Sequence, residues 1–243
     1  MTDNKTELSV PAKTRADYAL ALVRGAISSV PIAGGIGAEL FSILVRTPYD
    51  RRADEWMREV SERLRKLSEQ DESRFRNLLE DEDFASLIIS ATQIALRTNR
   101  TAKVRLLANA VDNSARGVDI PADLQLLFVR FVDELTLTHL AVLRFLLRSA
   151  DKLEAVDSYE ELYGLFLREI TDECEREEFR LFCNDLQARM LARFSAGLDD
   201  FPGVASSNVI VTDNSGGGPK IVVTELGRRF LRFIELKSAT PAV

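Results

Sequence analysis

The sequence predicts a mainly α-helical protein, in which an N-terminal helical bundle precedes a winged-helix-like domain with one β-hairpin. Apolar residues recur at the 3.6-residue period of an amphipathic helix over most of the chain. Two β-branched runs around a Gly-rich turn occur near the C-terminal end. The composition, 46% hydrophobic and 29% charged, is typical of a packed globular protein. We predict a flexible N-terminus (1–13), the bundle (14–135), the winged-helix-like domain (136–237) and a flexible tail (238–243).

The bundle begins with an unusually apolar segment. The run GAISSVPIAGGIGA, from Gly25 to Ala38, has no charge, and apolar residues continue after Glu39 as far as Val45. Pro31 suits the first turn of a helix. We therefore predict one helix over residues 14–28 and a second, Gly-rich helix that begins near Pro31. The uncharged run is shorter than the roughly 20 residues that a membrane-spanning helix needs.

Small residues in this segment are spaced for close contact between helices. They fall four apart in two pairs, Ala33 with Gly37 and Gly34 with Ala38. The sequence favours a buried central helix of the bundle. A second interpretation is a masked segment, including Ile36 and Phe41, that enters a membrane when the protein is activated. A permanent membrane anchor is least favoured, because Glu39 would lie in lipid.

The segment from Pro48 to Asp71 predicts a long amphipathic helix with a narrow apolar seam. The seam has 3-4-3 spacing and consists of Met57, Val60, Leu64 and Leu67. It either docks on the bundle or joins two copies of the chain in a homo-oligomer. Further helices are predicted around residues 84–95 and 104–111, and from Pro121 to Leu135.

The C-terminal region predicts three helices, a hairpin and a final helix. Thr136 or Thr138 can cap the first helix, and Ser158 with Glu161 has the spacing of a capping box for the second. The third is predicted over about 171–193. The runs NVIVT (208–212) and IVVT (221–224) flank the Gly-rich DNSGGGPK and predict the hairpin. This order of elements is that of a winged helix-turn-helix.

Three stretches resemble the Abi-alpha type of bacterial abortive-infection protein. They are LLANAVDNS (106–114), LQLLFVRFVDELTLTHLAVLRFL (124–146) and VVTELGRRFLRFI (222–234). The resemblance covers roughly residues 100–236 and rests on structural rather than catalytic motifs. It implies a helical bacterial protein with a winged-helix-like end, and phage defence by growth arrest. It implies no site residues.

The sequence favours a non-enzymatic protein without cofactors. The one histidine, His139, begins an apolar helix and is expected to cap or pack. Cys174 and Cys183 are expected to be reduced, buried and inert. No cluster of His, Cys and acidic residues has the spacing of metal ligands. We expect a cytoplasmic interaction or effector protein, whose partner is another protein or itself, and which meets a membrane only when activated.

The alternative is a winged-helix DNA-binding transcriptional regulator. Its candidate contacts are Arg189, Arg193, Lys220 and Arg228. Residues 136–237 hold 13 basic and 17 acidic residues, and the whole chain has a net charge of −6. Because DNA phosphates attract a basic surface, this charge favours protein contacts over nucleic acid.

Changing Ile36 to Asp tests whether the apolar segment meets lipid. If it inserts, the wild type floats with liposomes and releases entrapped dye, and Ile36→Asp loses both, because a carboxylate in lipid costs about 3 kcal/mol. A charge on the polar face of the Pro48–Asp71 helix is the control and should change neither. A melting curve must show that Ile36→Asp folds. If the wild type neither floats nor leaks vesicles and Ile36→Asp only unfolds the protein, the membrane interpretation is wrong.

Overall fold

The computed structural model describes residues 48–170, 173–194 and 221–235. These form ten helices and one two-stranded antiparallel sheet, which confirms the mainly helical prediction for the described residues. The chain forms two compact units, Met1–Val118 and Asp119–Val243. Several predicted features lie outside the described residues: the helix over 14–28, the segment that begins near Pro31, the strand at 208–212, and both terminal tails.

The N-terminal unit contains four described helices: α1 (Pro48–Gln70), α2 (Glu72–Leu78), α3 (Glu82–Arg97) and α4 (Thr101–Ala115). The chain breaks between α1 and α2 because Asp71 caps α2, and its carboxylate accepts a 2.9 Å hydrogen bond from the Arg74 backbone N–H. This bond, with a further one from the Ser73 hydroxyl, lowers the pKa of Asp71. Helix α1 packs against the other three.

Trp56 anchors α1 in the core of this unit. Its side chain is fully buried, and its Nε1 donates a 2.9 Å hydrogen bond to Oγ1 of Thr92 on α3. The Thr92 hydroxyl donates in turn to the Ile88 carbonyl, at 2.6 Å. The buried indole N–H and the buried hydroxyl are therefore both satisfied, which avoids the cost of an unpaired polar group in the core.

The C-terminal unit contains six described helices and the sheet. The elements are α5 (Ala122–Glu134), α6 (Leu137–Arg148), α7 (Ala150–Leu153), α8 (Tyr159–Glu169), α9 (Arg176–Ala188), β1 (Ala192–Phe194), β2 (Ile221–Val223) and α10 (Glu225–Ile234). Thr136, Ser158 and Thr224 accept backbone hydrogen bonds as the N-caps of α6, α8 and α10. Four phenylalanine rings of α5 and α10 pack together at centroid distances of 5.3–6.2 Å: Phe128, Phe131, Phe230 and Phe233.

The third helix of the C-terminal region ends earlier than predicted, and a strand that was not predicted follows it. Helix α9 ends at Ala188, whereas the prediction continued it to residue 193. Residues Ala192–Phe194 form β1, which pairs antiparallel with β2 in the register Arg193↔Val222. The strand predicted from IVVT is thus present, but its described partner directly follows α9. β1 has only three residues and no β-branched side chain. So short a segment does not give the alternating pattern that predicts a strand, and it follows a long amphipathic helix whose pattern dominates.

The boundary between the two compact units falls between Val118 and Asp119. The domain boundary that the sequence places after Leu135 stays a prediction. Helix α5 belongs to the C-terminal unit because its phenylalanines pack on α10. This contact joins residues about 100 positions apart in the chain, such as Phe128 and Phe230.

Two helical glycines give opposite predictions for substitution by alanine. A Cβ at Gly164 in α8 meets nothing within 4 Å, so Gly164→Ala should raise the free energy of unfolding by about 0.5–1 kcal/mol. A Cβ at Gly227 in α10 would lie 2.2 Å from the Leu191 carbonyl oxygen, so Gly227→Ala should lower it by about 1–3 kcal/mol. Urea denaturation followed by circular dichroism measures both. Equal effects of the two variants would contradict the close packing of α10 on Leu191.

Candidate protein-contact site

Helix α9 is held in the C-terminal unit by one apolar face. Phe179, Cys183 and Leu186 on this face are fully buried. The Phe179 ring lies 4.7 Å from that of Phe166 on α8 and 5.6 Å from that of Tyr163. At its start, the side chains and backbones of Glu175 and Glu178 form a reciprocal capping box. Both the position and the N-terminal end of α9 are thereby well defined.

The opposite face of α9 carries an outward stripe, consisting of Glu177, Leu181, Asn184 and Ala188. These residues stand at positions i, i+4, i+7 and i+11, which lie on one side of an α-helix. Leu181 is the apolar centre of the outward stripe, and 62% of its surface is exposed. The sequence predicted this helix, and the same spacing could have identified the outward stripe.

The arginines of α9 are all engaged by carboxylates. Arg176 pairs with Glu160 on α8, and Arg180 lies 2.5 Å from Glu177. Arg189, which directly follows the helix, pairs with Asp185 and Glu134. Four exposed glutamates cluster at the N-terminal end of the helix: Glu173, Glu175, Glu177 and Glu178. They outnumber the two arginines of α9, so this end of the helix is acidic, whereas Leu181 makes the centre of the outward stripe apolar.

Arg189 joins α9 to the end of α5. Its Nη1 lies 2.5 Å from a Glu134 oxygen and its Nε 3.1 Å from a carboxylate oxygen of Asp185. The guanidinium also lies 5.4 Å from the centroid of the Phe131 ring. Burial by itself lowers the pKa of Arg189, but the Glu134 and Asp185 carboxylates raise it by more. The pKa of Arg189 therefore lies above its ordinary value. This residue, predicted as a possible DNA contact, is held by protein groups.

His139 extends the same network to the start of α6. Its Nδ1 accepts a 3.1 Å hydrogen bond from the Thr136 backbone N–H and completes a capping box, the role that the sequence favoured. Its Nε2 lies 3.2 Å from an Asp185 oxygen, and its ring lies 4.5 Å from that of Phe182. Both ring nitrogens face protein groups, so this arrangement orients helices and presents no free nitrogen to a substrate.

Met190 ends α9 in a conformation that disfavours its side chain. Its φ is +59°, and it occupies the position of a Schellman motif where glycine is usual. The Leu191 N–H bonds to the Leu186 carbonyl, and the Met190 N–H bonds to that of Gln187. The Met190 side chain is 64% exposed, two residues beyond the last position of the outward stripe. Residues held in such strained backbone conformations cluster at functional sites.

The other described candidate DNA contacts lie on two different elements. Arg193 is exposed on β1 and not on a helix, and Arg228 lies 4.0 Å from Glu225 on α10. Lys220 lies outside the described residues. The segment residues Ala33, Gly34, Ile36, Gly37, Ala38 and Phe41 also lie outside them.

The predicted self-association seam is mostly buried within the N-terminal unit. Val60 and Leu64 are fully buried and Leu67 nearly so, while Met57 is half-buried. Trp56, one residue before Met57, supplies the inward position instead. The seam thus packs on the unit's own helices, which is the docking alternative. We do not assign self-association to it.

The described residues offer little reactive chemistry. Burial raises the pKa of both the Cys174 and Cys183 thiols, which keeps them protonated and unreactive at neutral pH. Across the described ranges, no three His, Cys, Asp or Glu side chains lie close enough together to hold a metal ion. None of the helices in this part of the chain could span a bilayer.

Comparisons with known proteins do not identify a family. The chain matches no protein-family model, no curated protein and no solved structure. The resemblance to the Abi-alpha type of abortive-infection protein therefore stays a prediction.

Arg189→Gln separates an anchoring role from a DNA-contacting one. We expect it to lower the free energy of unfolding by about 1–2 kcal/mol, because it removes charge-assisted hydrogen bonds to two carboxylates. Arg193→Gln, on the exposed strand, is the control and should stay within about 0.5 kcal/mol of the wild type. Thermal and urea unfolding measure both. An Arg189 variant as stable as the control would contradict the anchoring role.

Proposed function

We propose that this chain is a non-enzymatic interaction or effector protein, whose C-terminal unit is a winged-helix-like module used for protein contacts. The order of α6, α8 and α9, followed by β1, β2 and α10, supports the winged-helix-like assignment. In that assignment α9 is the third helix, whose outward face would enter the major groove if the module bound DNA. The character of this face therefore bears directly on the choice between protein and DNA.

The observation that carries the proposal is the outward stripe of α9. It presents a 62% exposed leucine between a glutamate and an asparagine, and the nearby arginines are engaged by carboxylates. The glutamates at the start of α9 would lie close to phosphates of the same charge. Exposed apolar side chains with a polar rim are instead typical of protein-binding surfaces.

The cellular role that we propose is phage defence by abortive infection, in the cytoplasm of a bacterium. It rests on the resemblance of the three stretches between residues 106 and 234 to Abi-alpha proteins. Membrane action through the segment around Ile36 remains part of this proposal as a second step after activation. The DNA-binding regulator is the competing function.

A titration with labelled duplex DNA at low salt tests the choice between protein and DNA. We expect no association tighter than the roughly 10⁻⁴–10⁻⁶ M of non-specific binders, because the start of α9 is acidic and carboxylates pair with Arg176, Arg180 and Arg189. Fluorescence anisotropy measures it over a range of salt concentrations. Tighter binding that falls steeply with salt, and that weakens in Arg193→Gln or Arg228→Gln, would overturn the proposal in favour of the regulator.

A further inference from the structure

We propose that the outward stripe of α9 binds the same stripe of a second copy of this chain, with the two helices antiparallel about a twofold axis. This inference rests on the proposed function and names the partner at the same surface. A twofold contact uses one surface patch on both copies, so the patch must be complementary to itself. The order of residues and the charge distribution of α9 both meet this requirement.

The four positions of the outward stripe are spaced symmetrically about their midpoint. In an antiparallel pair centred between Leu181 and Asn184, Leu181 faces Asn184 of the second copy, and Glu177 faces Ala188. The exposed Leu181 side chains then meet across the axis and bury the one large apolar group of the outward stripe. The small Ala188 leaves room for the stem of Glu177.

The charges of α9 favour the antiparallel orientation over the parallel one. At the N-terminal end of the helix four exposed glutamates outnumber Arg176 and Arg180, and Arg193 is exposed on β1, the strand that follows the C-terminal end. Parallel helices would bring the two acidic ends together. Antiparallel helices separate the two Glu177 positions by about 17 Å along the axis, more than the Debye length at physiological salt. They also place each acidic end near the Arg193 end of the other copy.

The antiparallel dimer gives a reason for the strained backbone of Met190 at the end of α9. Met190 lies two residues beyond Ala188 in the sequence. The antiparallel arrangement therefore places it beside the acidic end of the second helix. There its exposed thioether can cover the aliphatic stems of the glutamates, which a glycine could not do. A single helix pair is smaller than a standard interface, so we expect a reversible dimer with a dissociation constant near or above about 1 μM.

Sedimentation velocity over a range of concentrations tests the dimer with the full chain. We expect Leu181→Gln to weaken self-association at least tenfold. Leu137→Gln, the same change at another exposed leucine, should leave it unaltered. Circular dichroism and melting curves check that both variants fold. A monomeric wild type at every concentration, or a dimer that Leu181→Gln does not weaken, overturns the inference.

Disulfide trapping tests the orientation independently. Protein carrying Glu177→Cys, mixed with protein carrying Ala188→Cys, should form a disulfide-linked dimer on mild oxidation, because these positions face each other. Each variant alone should form little. The wild type is the first control and should form no disulfide-linked dimer, because its native cysteines are buried. The second control mixes either variant with Ala155→Cys, at an exposed turn, and measures the disulfides that form by random collision. A Glu177→Cys dimer formed as readily by itself as in the mixture would overturn the antiparallel arrangement.

The two proposals fail in different experiments. A chain that binds DNA in the anisotropy titration refutes the protein-contact function, whatever its oligomeric state. A chain that binds no DNA and stays monomeric refutes only the dimer, and it leaves the α9 face for a different protein partner.

Discussion

The C-terminal unit depends on how α9 ends. At Met190 the backbone takes a left-handed conformation, and Leu191 turns the chain so that β1 can pair with β2. The Leu191 carbonyl accepts a 3.1 Å hydrogen bond from the Thr224 N–H, and the Thr224 hydroxyl donates at 2.6 Å to that of Met190. Thr224 also caps α10, which passes so close to Leu191 that only glycine fits at position 227. One turn thus aligns a helix, a sheet and the start of the last helix.

The same region decides what the surface of α9 can bind. Arg189 pairs with Glu134 at the end of α5 and Asp185 on α9, and His139 of α6 lies 3.2 Å from Asp185, so these groups serve the packing of the three helices. The outward stripe is left with one exposed leucine and an acidic end. On this basis we propose that the surface contacts protein rather than phosphate. We propose a protein-contact function because the arginines of this region already pair with carboxylates of the same unit.

Two helices of this protein end in the same motif with different residues. Helix α4 ends with Gly117 at φ +71°, the residue that this conformation favours, whereas α9 ends with Met190 at φ +59°. Arg74 covers Gly117, so that end is part of the N-terminal unit's packing. Met190 is exposed. The position that could gain stability from glycine instead carries a flexible apolar side chain next to the proposed contact face.

The sequence by itself determined the helical character of the chain and the approximate position of most of the described helices. Helical periodicity acts over a few neighbouring positions, which is why the helix from Pro48 and the final helix from Thr224 could be predicted. The sequence left Thr136 and Thr138 as alternative caps of α6, and the structure has Thr136 in that role. Only the tertiary structure decided the partner of β2, the membership of α5 in the C-terminal unit and the choice of Trp56 over Met57 for the core. It also decided that Arg189 is held by Glu134. These features depend on contacts between residues far apart in the chain, and local patterns carry no information about which distant groups meet.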